Sequence, residues 1–154
     1  MGWFMKLIQS IVFQTVVSGV FVFIISQLVF EIVIKPIRKF KATILKVGTI
    51  LDFYSNVIVN PPLSGQLPED YMDAKKSLRE VAFELEAAYK NIPLNALLAR
   101  IPEKAITHAR KGLIFLSNIV GHPNEKIPVD GEKKKSLSLV ASDKTQEVKD
   151  YINI

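Results

Sequence analysis

Residues 7–30 read LIQSIVFQTVVSGVFVFIISQLVF, a stretch of 24 residues without a charged side chain. As an α-helix rising about 1.5 Å per residue, it would extend roughly 36 Å, enough to cross a hydrocarbon core of about 30 Å with some tilt. Soluble proteins rarely contain a core helix that is this long and this uniformly apolar. We therefore predict an N-terminal segment, residues 1–34, that contains a single transmembrane helix.

A cleaved signal peptide is the main alternative to a membrane anchor. Its apolar region would be about 7–15 residues long and would end in a small-x-small cleavage site. The run in this chain is longer and continues into QLVFEIVIK at residues 27–35, which offers no such site. The sequence therefore favours a helix that is retained in the membrane.

A cluster of five cations follows the apolar run almost at once. It accounts for the whole net charge of +5, because the chain has 20 Lys and Arg against 15 Asp and Glu. This local cluster is unlike the broad basic surface of a nucleic-acid-binding protein. We predict that it contacts anionic lipid headgroups, although a topology signal on a solvated helix face would have the same composition. Its members are Lys35, Arg38, Lys39, Lys41 and Lys46.

The charges on the two sides of the apolar run predict its orientation. Lys6 is the one charged side chain before the run, whereas four of the five cations lie between Lys35 and Lys41. Because short cytoplasmic flanks are enriched in Lys and Arg, we expect the N-terminus outside and the C-terminus in the cytoplasm. Glu31 is expected to pair with Lys35 at the cytoplasmic boundary. The predicted location is the inner, cytoplasmic membrane of the cell, crossed once.

Polar and small residues form a stripe inside the apolar run. Ser10, Gln14 and Ser18 are spaced by four residues, and Thr15 and Gly19 form a small-xxx-small pair beside them. Small residues let helix backbones approach, and buried amide and hydroxyl groups gain by finding partners on another helix. We predict self-association through this stripe, and therefore a homo-oligomer. Two alternatives stay open: the stripe could line a pore, or a monomeric anchor could simply tolerate these residues.

Beyond the membrane, the first segment has the period of an amphipathic helix. Pro36 either kinks the preceding helix or opens a new one at its first turn. Apolar residues then recur at alternating steps of three and four over about three heptads. They are Ile37, Phe40, Ile44, Val47, Leu51, Tyr54 and Ile58. Asn60-Pro61-Pro62 marks a surface turn after this helix.

Two further segments show the same period. One begins near Pro68, and the other runs from about Pro102 to Val120, with Gly121 supplying a left-handed cap. The first stripe is Tyr71, Ala74, Leu78, Val81, Leu85 and Ala88. The second stripe is Ile106, Ala109, Leu113, Leu116 and Val120. Matching stripes and short connections predict an all-α fold with a small antiparallel bundle over residues 35–121.

The C-terminal residues, 122–154, are polar and are interrupted by Pro123, Pro128 and Gly131. Their six lysines are balanced by six acidic residues. No segment of the chain shows convincing strand alternation. We predict a mostly disordered tail, in which a terminal helix near Gln146–Ile152 is an alternative.

The sequence offers little that could carry catalysis. The chain has no cysteine, which excludes disulfides and thiolate metal sites, and its two histidines lack carboxylates at metal-ligand spacing. Neither a glycine-rich phosphate loop nor a nucleophile elbow is present. We therefore expect a non-enzymatic protein without a cofactor or a metal ion.

Four residues on the last predicted helix form a further candidate site. Lys104, His108 and Lys111 share one helix face, and Arg110 lies nearby. Such a group could bind a phosphate or an acidic lipid. The alternative interpretation is a solvated surface, because charge opposite an apolar stripe usually faces water.

Five short motifs are similar to those of a known family. KPIRKF at 35–40, ILDFYSN at 50–56 and NPP at 60–62 lie in the first half of the chain, and IP at 92–93 and GLIFLSN at 112–118 follow. With these motifs, the chain resembles an uncharacterised family of small single-pass bacterial membrane proteins with a cytoplasmic helical domain. The resemblance covers about residues 29–120 and omits the tail. It implies a bacterial cytoplasmic-membrane location and supplies no activity or site residues.

Three functional hypotheses follow from these features. The leading one is a membrane-anchored helical module that self-associates or docks a partner protein at the cytoplasmic membrane surface. A membrane-perturbing effector of a bacterial defence or toxin system is the second, by analogy with a short anchor joined to a small sensing domain. The third is a domain that senses a phosphate or a lipid through Lys104, His108, Arg110 and Lys111.

Overall fold

The computed structural model describes residues 10–60, 68–122, 126–129 and 133–153. The first three residues of the predicted span, 7–9, therefore lie outside the described chain, as do the prolines of the predicted turn. The helices are α1 (Ile11–Val29), α2 (Lys35–Phe53), α3 (Ser55–Val59), α4 (Glu69–Lys90), α5 (Asn95–Leu98), α6 (Glu103–Ile119) and α7 (Leu137–Ile152). A π-helical turn (Phe30–Ile34) joins α1 to α2, and two strands, β1 (Lys126–Val129) and β2 (Lys133–Ser136), precede α7.

The apolar run forms α1, which stands clear of the rest of the protein. Ser10 caps its start, since the serine hydroxyl accepts a hydrogen bond from the Phe13 amide at 3.1 Å. None of the residues of α1 is buried. Through the π-helical turn it continues into α2, so that Ile11–Phe53 make one helix of 43 residues. This helix is long and apolar enough to cross a membrane.

The π-helical turn lies where Pro36 would otherwise disturb the helix. Proline lacks a backbone N–H, and its ring clashes with the carbonyl four residues earlier in a regular α-helix. The Lys35 amide donates instead to the Phe30 carbonyl, which widens this turn by one residue. Pro36 lies in the first turn of α2, immediately after this wider turn. The chain therefore passes from α1 to α2 without leaving the helical conformation.

The predicted seam of α2 packs into the core of the bundle. Phe40, Val47, Leu51 and Ile58 are buried, and the other seam residues are partly buried against the same core. The seam also contains Thr43, which is buried although it is polar. Its hydroxyl donates to the Lys39 carbonyl of its own helix at 3.0 Å, so burial leaves no unpaired group.

The stripes of α4 and α6 are buried as predicted, apart from Tyr71, which is partly buried. Gly121 follows α6 with a φ of 82°, the left-handed conformation of a glycine C-cap. Pairs of residues between neighbouring helices run in opposite sequence directions, which confirms an antiparallel arrangement. The pairs are Phe40 with Tyr89 and Lys46 with Glu84 between α2 and α4, and Arg79 with Ser117 and Arg110 with Glu86 between α4 and α6.

The structure confirms the all-α bundle and corrects the predicted tail over Leu137–Ile152. This range forms α7, whose Ala141, Val148 and Ile152 are buried at helical spacing. α7 packs against α6, where Gly112 has no side chain and Val148 fills the space that a methyl group would occupy. It packs against α3 as well. The polar tail can therefore supply a helix of the bundle, because a surface helix needs only one apolar face.

The chain between α6 and α7 includes a short β-hairpin, which the sequence did not predict. β1 and β2 pair antiparallel, with Lys126 opposite Ser136 and Val129 opposite Lys133. Each strand has four residues, and neither strand alternates cleanly between apolar and polar residues. Four-residue strands with this composition lack the period-two signal on which a sequence prediction depends.

Candidate membrane-facing site

The hydroxyl groups of the predicted membrane stripe are satisfied within α1. Ser10 caps the helix, Thr15 donates to the Ile11 carbonyl at 2.8 Å, and Ser18 donates to the Thr15 carbonyl at 2.9 Å. A hydroxyl that bonds its own backbone presents little unpaired polarity to its surroundings. These three residues therefore suit an apolar environment without requiring a partner.

Gln14 and Gly19 give the same stripe its capacity to meet another helix. Within the described part of the chain, the Gln14 side chain makes no hydrogen bond, and it is exposed. At Gly19, nothing lies within 4 Å of the position that a Cβ would occupy. The stripe therefore combines an amide that can donate and accept with a site where a second backbone can approach closely.

The basic cluster is divided between the helix junction and the bundle. Lys35 lies at the junction, where its ammonium is 2.5 Å from the Glu31 carboxylate, as predicted, and 5.7 Å from the centre of the Phe30 ring. Lys46 instead pairs with Glu84 of α4 at 2.7 Å. That hydrogen bond is the main reason why the pKa of Lys46 is raised above its usual value. Lys46 therefore joins α2 to α4 through an ion pair.

Three cations of the cluster, Arg38, Lys39 and Lys41, are exposed, and no ion pair of theirs occurs within the described ranges. They fall in the first two turns of α2, directly after the π-helical turn. At about 1.5 Å per residue, Lys41 lies roughly 10 Å along the helix from Ile34. The three side chains therefore lie on the side of the helix opposite its seam, close to where the helix leaves the apolar run.

The predicted phosphate-binding group does not form one site. Arg110 turns towards α4, where its guanidinium is 2.5 Å from the Glu86 carboxylate and 6.0 Å from the centre of the Phe83 ring. Glu86 also binds Lys90 at 2.9 Å. The hydrogen bonds from Lys90 and then Arg110 lower the pKa of the Glu86 carboxyl. Arg110 is thus engaged in joining α6 to α4.

The other three residues of that group lie on the far side of α6 from Glu86. Lys104 and His108 line a shallow surface depression together with Glu103 and Thr107. The His108 ring stacks on Tyr151 of α7, with the ring centres 5.1 Å apart and the planes inclined by 23°. Lys111 is exposed. A carboxylate in the depression makes it a poorer anion site than the sequence suggested, because Glu103 repels the ligand.

Tyr89 is a structural residue that the stripe pattern missed. Its ring packs on Phe40 with the centres 5.6 Å apart, and its hydroxyl donates to the Ile101 carbonyl at 3.1 Å. Burial raises the pKa of this phenol. Tyr89 lies one position beyond the stripe residue Ala88, but it follows Ala82 and Leu85 at steps of three and four, so helical spacing also indicated that it belongs to the core. It ties the start of α6 to the first turns of α2.

Among the described residues, no group of three or more His, Asp and Glu side chains is placed to hold a metal ion. The chain matches no family model, no curated protein and no solved structure.

Proposed function

We propose that this protein is a single-pass membrane anchor joined to a cytoplasmic helical bundle, and that it self-associates through the stripe on α1. The observation that carries the proposal is the 43-residue helix Ile11–Phe53, which is wholly unburied in its apolar half and packs into a core in its other half. This arrangement supports a module that holds proteins together at the surface of the inner membrane.

The exposure of the apolar side chains of α1 supports its proposed role as a membrane anchor. Large apolar residues all around this helix are exposed, including Ile11 at 80%, Val22 at 64% and Phe23 at 69%. Soluble proteins rarely expose contiguous apolar surface of this extent, because each Å² in water costs about 25 cal/mol. A bilayer removes that cost, since its hydrocarbon replaces water around the side chains.

The position of the cations supports the proposed orientation. Arg38, Lys39 and Lys41 are exposed on one side of the helix shortly beyond the apolar run, where they can meet anionic headgroups. The bundle follows them along the chain. A cytoplasmic bundle and an external N-terminus are therefore the arrangement that agrees with the positive-inside rule.

The local chemistry of α1 supports self-association. An amide in hydrocarbon gains by exchanging hydrogen bonds with a matching amide, and the open surface at Gly19 allows the two backbones to approach. Gln14 and Gly19 lie five residues apart, which is about 140° around the helix, so Gln14 with Ser18 forms one edge of the stripe and Thr15 with Gly19 forms the other. A second copy of α1 is the partner that presents a matching stripe by symmetry.

Disulfide crosslinking in native membranes tests this proposal. The chain contains no cysteine, so Ser18→Cys introduces a single reactive thiol on the stripe. We expect oxidation to trap a dimer through this position. The matched control is Val20→Cys, which is also on exposed α1 but lies about 160° around the helix from Ser18 and about 100° from Gly19. It should crosslink much less.

Adding Gln14→Leu to the Ser18→Cys protein should lower the crosslinked fraction, since the shared amide bonds are lost. From the strength of such bonds we expect association to weaken by about threefold to tenfold. Equal crosslinking through positions 20 and 18, or a strictly monomeric protein at native expression, would contradict self-association through this stripe.

A further inference from the structure

We propose that the connection between α4 and α6, residues 91–102, docks on the headgroup layer of the membrane that α1 crosses, with Leu94 entering the interface. The occupant of this surface is an anionic lipid bilayer. This inference rests on the proposed function, because it requires α1 to span that membrane. It adds a second contact with the membrane, so that the bundle would be held against the bilayer by the connection as well as by α1.

The connection lies at the end of the bundle nearest to α1. Tyr89, the penultimate residue of α4, packs on Phe40, and its hydroxyl holds the Ile101 carbonyl just before α6. Phe40 follows Ile34 by six residues, which is about 9 Å along the helix. Headgroups extend about 5–8 Å beyond each face of the hydrocarbon core. The connection therefore begins just beyond the headgroup layer and, because α4 runs antiparallel to α2, continues towards that layer.

Both ends of the connection are buried in the core, whereas Leu94 is exposed. Ile92 is 2% exposed and Ile101 is 8% exposed, whereas Leu94 between them is 76% exposed. Leu94 has a φ of 48°, a left-handed conformation that leucine rarely adopts. The Leu98 amide donates to the Leu94 carbonyl at 3.1 Å, which closes the following turn. The fold thus holds an apolar side chain away from the core.

Charge at this end of the bundle complements an anionic surface. The cations come from α2, from the end of α4, from the connection and from the start of α6. They are Arg38, Lys39, Lys41, Lys90, Arg100 and Lys104. Two acidic residues face the same end, Glu103 and Glu86, and Glu86 is already held by Lys90 and Arg110. Cations therefore outnumber acids at this end of the bundle, which also carries an exposed leucine, and this is the composition of an interfacial membrane contact.

Spin labels on single cysteines test the position of the connection. The full chain is placed in vesicles of phosphatidylcholine with phosphatidylglycerol, with one label at Asn91→Cys, Met72→Cys or Val22→Cys. Position 91 is an exposed site in the connection, and Met72 is 54% exposed near the opposite end of α4. Accessibility to a water-soluble nickel complex and to oxygen reports whether each label lies in water or in lipid.

We expect the label at 22 to lie in hydrocarbon, the label at 91 to be shielded from nickel, and the label at 72 to be fully aqueous. A label at 91 as aqueous as the one at 72, with 22 in hydrocarbon, would overturn the docking proposal alone. An aqueous label at 22 would overturn the anchor, and the docking proposal with it. Equal shielding at 91 in pure phosphatidylcholine would overturn the assignment to anionic headgroups.

Two substitutions separate docking from folding. Leu94 and Arg100 both have left-handed φ values, 48° and 56°, and asparagine tolerates this conformation better than either. Leu94→Asn with Arg100→Asn should therefore leave the bundle folded, which circular dichroism and thermal unfolding verify. The shielding of label 91 should fall, by about fivefold in the docked-to-undocked ratio for the lost cation alone. Unchanged shielding would overturn the role of these residues.

The matched control is Met72→Gln with Lys76→Gln, which removes one apolar and one cationic side chain from the opposite end of α4. We expect this variant to leave the shielding of label 91 unchanged. A loss equal to that of the asparagine pair would show that general charge, and not the connection, produces the contact, and would overturn the proposal.

Discussion

The two halves of the long helix, α1 and α2, have equal length and opposite surroundings. Each contains 19 residues, yet α1 has no buried residue and α2 has four, Phe40, Thr43, Val47 and Leu51. The more apolar half is therefore the one that the protein leaves uncovered. In a water-soluble protein the order would be reversed, because apolar burial is the main force that folds the chain.

This difference shows that the arrangement of apolar residues matters more than their number. On α2 they form one stripe with charged residues opposite, so one side packs and the other meets water. On α1 they cover every side, so no single neighbour within the protein could bury them. A helix that is apolar all round needs an apolar solvent, which a bilayer supplies.

The ion pairs of the two halves differ in the same way. Glu31 and Lys35 pair within the junction, four residues apart on one helix. Lys46, by contrast, reaches Glu84, which is 38 residues away on α4. Local pairs leave a helix independent of its surroundings, whereas distant pairs join it to a neighbour. The junction can therefore enter a headgroup layer without breaking the bundle.

The largest expected effect separates the packed half from the uncovered one. Leu51→Ala empties a fully buried position of α2, so we expect the bundle to lose about 2–5 kcal/mol of unfolding free energy. The matched control is Leu28→Ala on α1, where Leu28 is 52% exposed. It should change bundle stability by less than about 0.5 kcal/mol. Urea unfolding in detergent measures both, and equal losses would show that α1 packs on the bundle.

The second prediction concerns the solvent around α1. Val22→Arg places a charge near the middle of the apolar helix, where insertion should become less favourable by about 2.5–3.5 kcal/mol. We expect more of the variant to leave vesicles on alkaline carbonate washing, while the unfolding of the bundle is unchanged.

A reporter fused behind Ile154 should be cytoplasmic in the wild-type protein. An external reporter would reverse the proposed orientation.

The smallest expected effect compares the ion pairs of the bundle and the junction. Glu86→Gln removes the charge that binds Lys90 and Arg110, and we expect a loss of up to about 1 kcal/mol at neutral pH. Because the pKa of Glu86 is lowered in the folded state, its contribution is full above the ordinary pKa of 4.5. It is lost as the pH falls through the lowered value.

The stability difference between wild type and Glu86→Gln should therefore shrink in acid. The control is Glu31→Gln, whose carboxylate is 45% exposed and pairs only within its helix. We expect that variant to leave the unfolding of the bundle unchanged at all pH values. A difference for Glu86→Gln that persists below the lowered pKa would indicate a contact other than these charges.

Much of the fold could be predicted from local spacing. Apolar residues at steps of three and four predict the seam of α2 and the stripes of α4 and α6. Their central members, such as Leu51, Leu78 and Leu113, are fully buried. Period alone identifies such faces, because a helix repeats every 3.6 residues. Gly121 could be predicted as a cap, since glycine adopts left-handed backbone at little cost.

α7 could not be predicted as part of the bundle because its apolar face is sparse. Three buried residues, Ala141, Val148 and Ile152, occupy 16 positions of a polar segment. Their burial depends on Gly112 of α6, which lets Val148 approach closely. Lys149 adds an ion pair to Asp52 at 2.6 Å. None of these partners is a neighbour in sequence.

The candidate phosphate group shows the same limit of local spacing. Lys104, His108 and Lys111 follow one helix face, and Arg110 is adjacent in sequence. Nevertheless, Arg110 lies against Glu86 on α4 and His108 lies against Tyr151 on α7. Helix spacing gives the direction of a side chain, whereas the partner in that direction comes from another element.

By itself, the sequence determined that one long helix is apolar on every side, that cations follow it, and that three amphipathic helices come after it. These properties depend on residues within a few turns of one another, so periodicity and charge count reveal them. Only the tertiary structure decided that α7 completes the bundle, that Lys46 and Arg110 join helices, and that Leu94 is exposed although it lies between two buried isoleucines. Those outcomes depend on contacts between distant segments, whose free energies exist only once the helices are packed.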